Sequence, residues 1–218
     1  MISKRLKTLV KYVDEIDNIM DIGCDHALLD IYLIKNKYTD KIIASDIHEN
    51  ALNAGIENIK RNNLESKIDA RLGDGLDVLS DDDTINTLLI SGMGTSTILK
   101  ILDNDKIERI YKLIIQSNND HDFLRKKVTS LGFYIDSEEY FQDNNKNYIN
   151  IVFKKGNRSY TKTELKYGPF LINNKEYLEF ELSKIYKIYN LIPKLKLRYR
   201  LELRLEIIKL NKYLKKCS

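Results

Sequence analysis

Cysteine is scarce in this 218-residue sequence, which contains only Cys24 and Cys217. Two cysteines so far apart provide neither a disulfide framework nor the paired spacing of a zinc site, so we expect reduced thiols. No apolar run approaches the roughly 20 residues of a membrane span, and no apolar signal core follows the basic start "MISKRLK". We therefore predict a cytoplasmic protein that does not associate with a membrane.

The net charge of +4 conceals an uneven distribution along the chain. Residues 157–218 contain 15 lysines and arginines against 6 acids, a net charge of +9, whereas residues 1–156 have a net charge of −5. A basic segment attached to a mildly acidic one indicates a polyanionic partner. The alternative is that the basic residues form an ordinary solvated helical face.

Apolar and β-branched runs alternate with helical patterns over the first 155 residues. The strands that we predict are Asn18–Ile22, Lys41–Asp46, Ile68–Leu72, Thr87–Ser91 and Lys112–Gln116. The helices that we predict are Ser3–Ile16, Ala27–Lys37, Glu49–Asn62, Ser96–Leu102 and His121–Leu131. This alternation predicts parallel pairing through right-handed crossovers, and hence a doubly wound α/β sheet.

The end of this region breaks the alternation. The strand-like runs "FYIDSEEYFQ" and "NYINIVFKK" have no helix between them, only the polar turn "DNNKN". This pattern predicts a hairpin with an antiparallel last strand. Five parallel strands followed by such a hairpin are typical of the Rossmann-like class I methyltransferases that use S-adenosylmethionine.

The C-terminal segment has a different pattern. We interpret Gly156–Tyr167 as a linker, followed by two helices separated at Pro193 that form a helical hairpin or antiparallel coiled coil. Leu195–Leu205 alternates as a strand would, but its leucine, lysine, arginine and glutamate content favours a helix. The predicted division is a methyltransferase domain, 1–156, and a basic helical extension, 157–218.

Polar residues follow each predicted parallel strand, where doubly wound sheets bind ligands. They lie in the sequences "DIGCDHA", "SDIHEN", "GDGL", "SGMGTS" and "QSNND". A single acid after a strand is commonly a helix N-cap or a solvated turn, so the joint occurrence in five loops favours a site. The three spaced glycines of a dinucleotide fingerprint are missing, which argues against a dinucleotide-dependent reductase.

These loops carry the groups that S-adenosylmethionine requires. Asp46 is placed to accept both ribose hydroxyls, and Gly23 lets the backbone approach the amino acid end. Asp21 or Asp25 would offset the ammonium charge, and Asp74 would accept a hydrogen bond from the adenine amine. Apolar residues beside these acids are ring-packing candidates or core residues, namely Ile47 and Leu76.

Histidine and cysteine provide no second chemistry. His26 either begins the first crossover helix or contributes to the glycine turn, and both roles stay open. His48 and His121 show no metal-ligand spacing with it, so we predict no metal. Cys24 lacks the histidine and acid that would activate a nucleophile.

Four motifs in order resemble the TrmK family, bacterial tRNA methyltransferases that act on N1 of adenosine 22. They are "DIGCDHALLDIYL", "RLGDGLDVL", "ISGMGTSTILKIL" and "IIQSNNDHDFLRKKVTSLGF". The resemblance covers about Ser3 to Lys155, and the chain from "YGPFL" onward is loosely similar to the family's helical extension. The chain departs from the family pattern at Cys24 (usually Ser), Thr95 (usually Gly), Ser117 (usually Pro) and "IHENAL" (usually a Gly-Pro turn).

The resemblance implies that the Ser91–Gly94 loop, which follows the fourth strand, and the Gln116–Asn118 loop face a flipped adenine. The chain has no Asn-Pro-Pro-Tyr motif of the kind that exocyclic-amine methyltransferases use, which fits a ring nitrogen as the target. The lone pair of N1 mainly needs to be aligned with the methyl group and the sulfur of the donor. Asp74 is the candidate catalytic group for stabilising the cationic product, a role that competes with its cofactor role. The expected substrate-binding residues are Ser91, Gly94, Gln116, Asn118, Arg198, Arg200 and Arg204, with Tyr199 either stacking on a base or packing between helices.

In all, we predict a monomeric tRNA methyltransferase with S-adenosylmethionine as cofactor. Its predicted cofactor-binding residues are Asp21, Gly23, Asp25, His26, Asp46, Ile47, Asp74, Gly75, Gly92 and Met93. Two alternatives remain at this stage: a methyltransferase for another RNA, a small molecule or a protein, and a non-enzymatic RNA-binding protein.

Overall fold

A seven-stranded sheet with helices on both faces forms the centre of the computed structural model, which describes residues 2–217. The strands are β1 (Ile19–Ile22), β2 (Ile42–Asp46), β3 (Ile68–Leu72), β4 (Thr87–Met93), β5 (Lys112–Ser117), β6 (Phe133–Asp143) and β7 (Lys146–Lys155). The helices are α1 (Lys4–Val10), α2 (Leu28–Lys35), α3 (Glu49–Arg61), α4 (Thr95–Leu102), α5 (His121–Ser130), α6 (Lys162–Tyr167), α7 (Lys175–Leu191) and α8 (Leu197–Leu214).

The strand order is β3-β2-β1-β4-β5-β7-β6. Strands β1 to β5 pair in parallel, and β7 pairs antiparallel with both β5 and β6. The predicted doubly wound sheet and terminal hairpin are therefore confirmed. The opening helix is shorter than predicted, because α1 ends at Val10 and the chain turns before β1.

Alternation along the strands divides the apolar core into two layers. Met20 and Ile22 of β1 pack on one face, beneath α4 and the C-terminal helices, whereas Ile19 packs on the other, beneath α1, α2 and α3. Because side chains on a strand point to opposite faces in turn, a strand covered by helices on both sides is apolar throughout. This arrangement accounts for the apolar runs Ile42–Ala44 in β2 and Leu113–Ile115 in β5, whose side chains alternate between the two layers.

The segment predicted as a linker, Gly156–Tyr167, is in part helical, so that prediction was wrong. Thr161 and Glu164 form a capping box that starts α6, with the Thr161 Oγ1 accepting from the Glu164 amide at 3.2 Å. Just before it, the Tyr160 hydroxyl accepts a hydrogen bond from the Ile135 amide at 2.8 Å. The polar residues that suggested a flexible connection thus provide a helix cap.

The C-terminal segment forms the predicted helical hairpin. Tyr177 and Phe180 of α7 pack on Tyr140 of β6, with ring centroids 5.5 and 5.6 Å away. Ile207 and Leu210 of α8 are buried in the same apolar cluster as the sheet. Helical spacing therefore prevails over the alternating pattern near the start of α8. The boundary at residue 156 stays a prediction.

A buried ion pair of the α/β domain makes hydrogen bonds to this extension. Arg125 Nε of α5 lies 2.6 Å from Glu138 Oε1 of β6, and both side chains are fully buried. The guanidinium also donates to the carbonyl of Lys166 at 3.2 Å, and the carboxylate accepts from the amide of Phe170 at 3.2 Å. Gly168, at φ +86°, leaves room for that carboxylate, because a Cβ there would lie 2.4 Å from Glu138 Oε2.

Candidate functional site

A cavity of about 800 Å³ opens at the carboxyl ends of β1 to β4. This edge is where doubly wound sheets bind ligands. Every residue that we predicted to bind the cofactor lines it, as does Ser91. Leu76 is not among the residues that line the cavity and has 1% of its surface exposed, which favours the core alternative over the ring contact.

The loop after β1 forms the floor of the cavity in an unusual backbone conformation. Gly23 has φ +78°, and the non-glycine residues Asp25 and Ala27 have φ +50° and +52°. Such conformations cost free energy and concentrate at ligand sites. The Gly23 amide donates to the Ser45 carbonyl at 2.8 Å, which ties the turn to β2. The positive φ of Gly23 favours glycine at this position, and a Cβ there would also displace the flexible end of the Met93 side chain.

Asp46, at the end of β2, is held in a fixed orientation at the rim. Its Oδ2 accepts from the Asp25 amide at 3.2 Å and its Oδ1 from the His48 amide at 2.8 Å. Each carboxylate oxygen has two acceptor lone pairs, so acceptor capacity remains for a ligand. Beside it, the side chain of Ile47 is 56% exposed and presents an apolar surface to the cavity.

Asp21 forms a buried acid pair with Asp30 of α2. Burial, followed by the neighbouring Asp30 carboxyl and then Asp46, raises the pKa of Asp21 well above its usual value. Burial raises the pKa of Asp30 to about 7. Neither Asp30 oxygen has a hydrogen-bond donor among the described residues. Two adjacent carboxyls in a dry site cannot both ionise readily, so the pair shares a proton near neutral pH.

Asp74 follows β3, several strands away in the sheet from β5 and the predicted Gln116–Asn118 target-base loop. Its Oδ2 accepts from Lys100 Nζ of α4 at 3.0 Å, and Gly75 follows it at φ +53°. Three strands (β2, β1 and β4) separate β3, which precedes Asp74, from β5, which precedes Ser117 and Asn118. At about 4.8 Å per strand, that separation favours a cofactor role for Asp74 over direct contact with the target base.

The predicted substrate residues fall into two groups. Ser91 lines the cavity, whereas Gly94, Gln116 and Asn118 are not among the residues that line it. Gln116 is fully buried and its Nε2 donates to Asn150 Oδ1 at 2.6 Å. Asn118 Nδ2 donates to the Gly92 carbonyl at 2.7 Å. These amides therefore hold the loops in place within the described structure.

Two departures from the family pattern contact each other. Thr95 Oγ1 and Ser117 Oγ are 2.8 Å apart, and each hydroxyl also lies within hydrogen-bond distance of the Asn119 carbonyl, at 2.5 and 3.0 Å. Asn119 Oδ1 accepts from the Thr95 amide at 2.9 Å. Hydrogen bonds between the ends of β4 and β5 thus restrain the loop in which the family usually has proline.

Two cationic side chains line the cavity that were not predicted from the sequence, those of Arg5 and Lys100. Arg5 of α1 lines the cavity beside Gly92, and its Nη1 donates to Gln116 Oε1 at 2.9 Å. The sequence does not indicate that an arginine near the start of an amphipathic helix will contact a buried residue such as Gln116. Only the packing of α1 against β7, where Asn150 Nδ2 donates to Thr8 Oγ1 at 2.8 Å, places it there.

The predicted tRNA-binding arginines lie on α8 and differ in their surroundings. The side chain of Arg198 is 95% exposed, and Arg204 is also exposed. Arg200 donates to the carbonyls of Tyr189 and Ile192 at 3.0 and 2.8 Å, so it caps the end of α7. Tyr199 is 46% exposed and is available for stacking.

Other chemistries find no support in the part of the chain that the structure describes. Burial raises the pKa of the Cys24 thiol, which therefore stays protonated. Residues 2–217 contain no group of three or more side chains arranged to hold a metal ion. Within the same range, every helix is too short or too polar to cross a membrane.

Comparison with known proteins identifies relatives along nearly the whole chain. The family model for TrmK, tRNA (adenine(22)-N(1))-methyltransferase, matches residues 19–214. The tRNA (adenine(22)-N(1))-methyltransferase of Bacillus subtilis is 30% identical over 182 residues, which are 80% of this chain and 76% of that protein.

Solved structures agree with this match. M. capricolum TrmK, in complex with S-adenosyl-homocysteine, is 32% identical with a TM-score of 0.87, and the match covers 100% of both chains. A Streptococcus pneumoniae protein solved with S-adenosyl-L-methionine is 27% identical with a TM-score of 0.87, covering 98% of this chain and 100% of that one. The predicted family is thus confirmed. The chain belongs to the TrmK family and is a tRNA (adenine(22)-N(1))-methyltransferase.

Proposed function

We propose that the cavity binds S-adenosylmethionine and that the protein transfers its methyl group to N1 of adenosine 22 in tRNA. The observation that carries this proposal is the convergence of Asp21, Asp46 and Asp74 on one cavity from three adjacent strands. Each acid fits a different group of the methyl donor. The family relationship supports the tRNA substrate.

The order of the strands suggests how the donor lies along the rim. Adenine lies beside Asp74 after β3, where the carboxylate accepts from the exocyclic amine. The ribose hydroxyls donate to Asp46 after β2, and Ile47 packs on the adenine ring. The methionyl group lies over Gly23 after β1, where the Asp21 carboxyl offsets its ammonium charge.

The chemistry requires alignment more than activation. The N1 lone pair attacks the methyl carbon while the bond from sulfur to carbon breaks, and the electron pair of that bond returns to sulfur. A positive charge moves from sulfonium to base, so the total charge of the reactants is unchanged. An oriented in-line approach beside Ser91, near the end of β4, therefore supplies most of the rate enhancement. The catalytic role of Asp74 stays a prediction, and strand order favours its cofactor role.

The extension supplies the remaining part of the substrate site in this proposal. Strands β7 and β6 lie beyond β5, and α7 packs on β6. We propose that the target base enters on this side of the cavity. Arg198 and Arg204 present cations to tRNA phosphates, while the target adenine leaves its stack to reach the donor. We further propose a monomer that acts in the cytoplasm.

Incubation of the purified protein with labelled S-adenosylmethionine and unmodified tRNA tests the activity. We expect the label in 1-methyladenosine at position 22 after nuclease digestion, and none with a tRNA that carries guanosine there. Label in another nucleoside would favour the rival methyltransferase. Absence of both transfer and donor binding would favour a non-enzymatic RNA-binding protein.

Two substitutions test the ribose contact, one at the end of β2 and one in the loop that precedes this strand. Asp46→Asn should lower the affinity for S-adenosylmethionine roughly 10- to 100-fold, since a hydrogen bond to a charged group contributes about 1.5–3 kcal/mol. Asp40→Asn removes an exposed carboxylate from the loop that precedes the same strand and should leave the affinity unchanged. Isothermal titration calorimetry measures both. Equal affinities for the two variants would contradict the assignment.

The acid pair makes donor binding depend on pH. An ammonium beside Asp21 favours the ionised carboxyl, so binding should release a proton and affinity should rise between about pH 6 and about pH 8. Asp30→Asn lets Asp21 ionise at lower pH, so this dependence should flatten. Calorimetry in buffers of different ionisation enthalpy measures the proton release, and an unchanged pH dependence in Asp30→Asn would refute the shared proton.

The role of the extension is tested by its exposed arginines. The double variant Arg198→Ala/Arg204→Ala should weaken tRNA binding and lower the salt slope by about 2, because two phosphate contacts are lost. Donor affinity should not change. Arg61→Ala, on the exposed surface of α3, is the matched control. A double variant that binds tRNA like this control would show that the phosphates lie elsewhere.

A further inference from the structure

Phe123 presents an exposed aromatic ring near the start of α5. All six phenylalanines of the sequence lie within the described residues, and the two most exposed are Phe123 and Phe170, at 45% and 44%. Helix α5 begins at the carboxyl edge of the sheet, after the short loop that follows β5, and Phe123 is its third residue. Phe123 is not among the residues that line the cavity, so the donor site does not account for it.

The ring lies on the flank of α5 opposite to Arg125. Arg125 pairs with Glu138 of β6 and donates to the Lys166 carbonyl of α6, so its flank of the helix faces β6 and α6. Successive residues of an α-helix are about 100° apart, which places Phe123 roughly 160° around the axis from Arg125. In the sheet, β6 lies on one side of β5 and β4 lies on the other. Phe123 therefore faces the side on which β4 lies.

The side of β4 is also the side of the cavity. Helix α4, which follows β4, packs beside α5, and Ser96 and Thr97 in its first turn line the cavity. The start of α5 is held at the same edge of the sheet, because His121 Nε2 donates to the Ser117 carbonyl at 3.1 Å. The ring of Phe123 is thus fixed outside the cavity, beside the side from which the target base enters in the proposed function.

Lys127 places a positive charge beside this ring. It lies one turn further along the same flank of α5, and its Nζ is 5.5 Å from the centroid of the Phe123 ring. This distance is within the range of a cation–π contact. Lys127 is itself exposed, so its ammonium group is accessible to a phosphate. An exposed aromatic ring next to a cation suits an unpaired nucleobase, because the ring stacks on the base while the cation contacts the backbone.

We propose that Phe123 stacks on a tRNA base next to adenosine 22 after that adenosine has left its stack, an inference that rests on the proposed function. Flipping a base out of its stack costs stacking free energy and exposes the faces of the neighbouring bases. The Phe123 ring covers one such face and offsets part of this cost. Lys127 contacts the phosphate of the same nucleotide. Phe123 is thus a positioning residue that stabilises the flipped arrangement without contacting the donor.

Methylation kinetics with unmodified tRNA test the role of the ring. Phe123→Ala should lower kcat/KM for tRNA roughly 5- to 100-fold, the loss expected from removing one stack between a base and an aromatic ring. The affinity for S-adenosylmethionine should not change. Phe123→Tyr should retain most of the activity because it still stacks, whereas Phe123→Leu should resemble the alanine variant. Phe170→Ala is the matched control, because it removes an equally exposed phenylalanine from the side of Glu138 and should match the wild-type protein.

Base flipping itself is measured with a tRNA that carries 2-aminopurine in place of adenosine 22. The emission of this base rises when it leaves its stack, so saturating wild-type protein should raise the emission and saturating Phe123→Ala should raise it less.

Three outcomes would overturn the proposal. These are an unchanged kcat/KM in Phe123→Ala, an equal loss in Phe170→Ala, and a loss of donor affinity in Phe123→Ala. The third outcome would show that the ring only supports the structure of the cavity. A wild-type protein that methylates no tRNA would contradict the proposed function itself, so the two failures are distinguishable.

Discussion

Parallel alignment of five strands is the constraint on which the site depends. Because β1 to β4 all end at the same edge, Asp21, Asp46, Asp74 and Ser91 meet there although they are distant in sequence. A strand of five residues is roughly 16 Å long, so reversing any one strand would move its acid to the far edge of the sheet. Helices packed on both faces of the sheet stabilise this alignment by burying its apolar side chains. The cavity is therefore a product of topology, and its residues need only be suitably placed at the strand ends.

This dependence explains what the sequence could predict. Strand and helix periodicity is local, and it correctly located the parallel strands, the hairpin and the loops whose residues line the cavity. Two features depended on packing between distant segments and were missed. Arg5 reaches the cavity because α1 packs against β7, and Asp30 is buried because α2 is covered on most of its surface. The capped helix within Gly156–Tyr167 was concealed by polar residues that equally suit a loop. The roles of the individual site residues stay predictions.

The loop after β5 shows how a chain can lose a rigid residue and keep a restrained loop. Proline restricts the backbone through its ring. Ser117 has no such restriction, but its hydroxyl lies 2.8 Å from that of Thr95, and both lie close to the Asn119 carbonyl. The two positions that differ from the usual family pattern therefore compensate for each other across β4 and β5. Each substitution taken alone suggests a looser loop, whereas the contact between them argues for restraint.

The buried pair of Arg125 and Glu138 has a consequence for substrate selection. Separating the extension from the sheet would expose these charges and break the hydrogen bonds that they make to the Lys166 carbonyl and the Phe170 amide. These contacts resist movement of the extension, which includes the α7–α8 helix pair, relative to the sheet. With tRNA phosphates bound to the α7–α8 helix pair as proposed, the distance from these phosphates to the cavity is set by the protein. The nucleotide that is modified is then the one that lies at this distance from the bound phosphates. The modified position along the tRNA is therefore selected by distance as well as by the identity of the base.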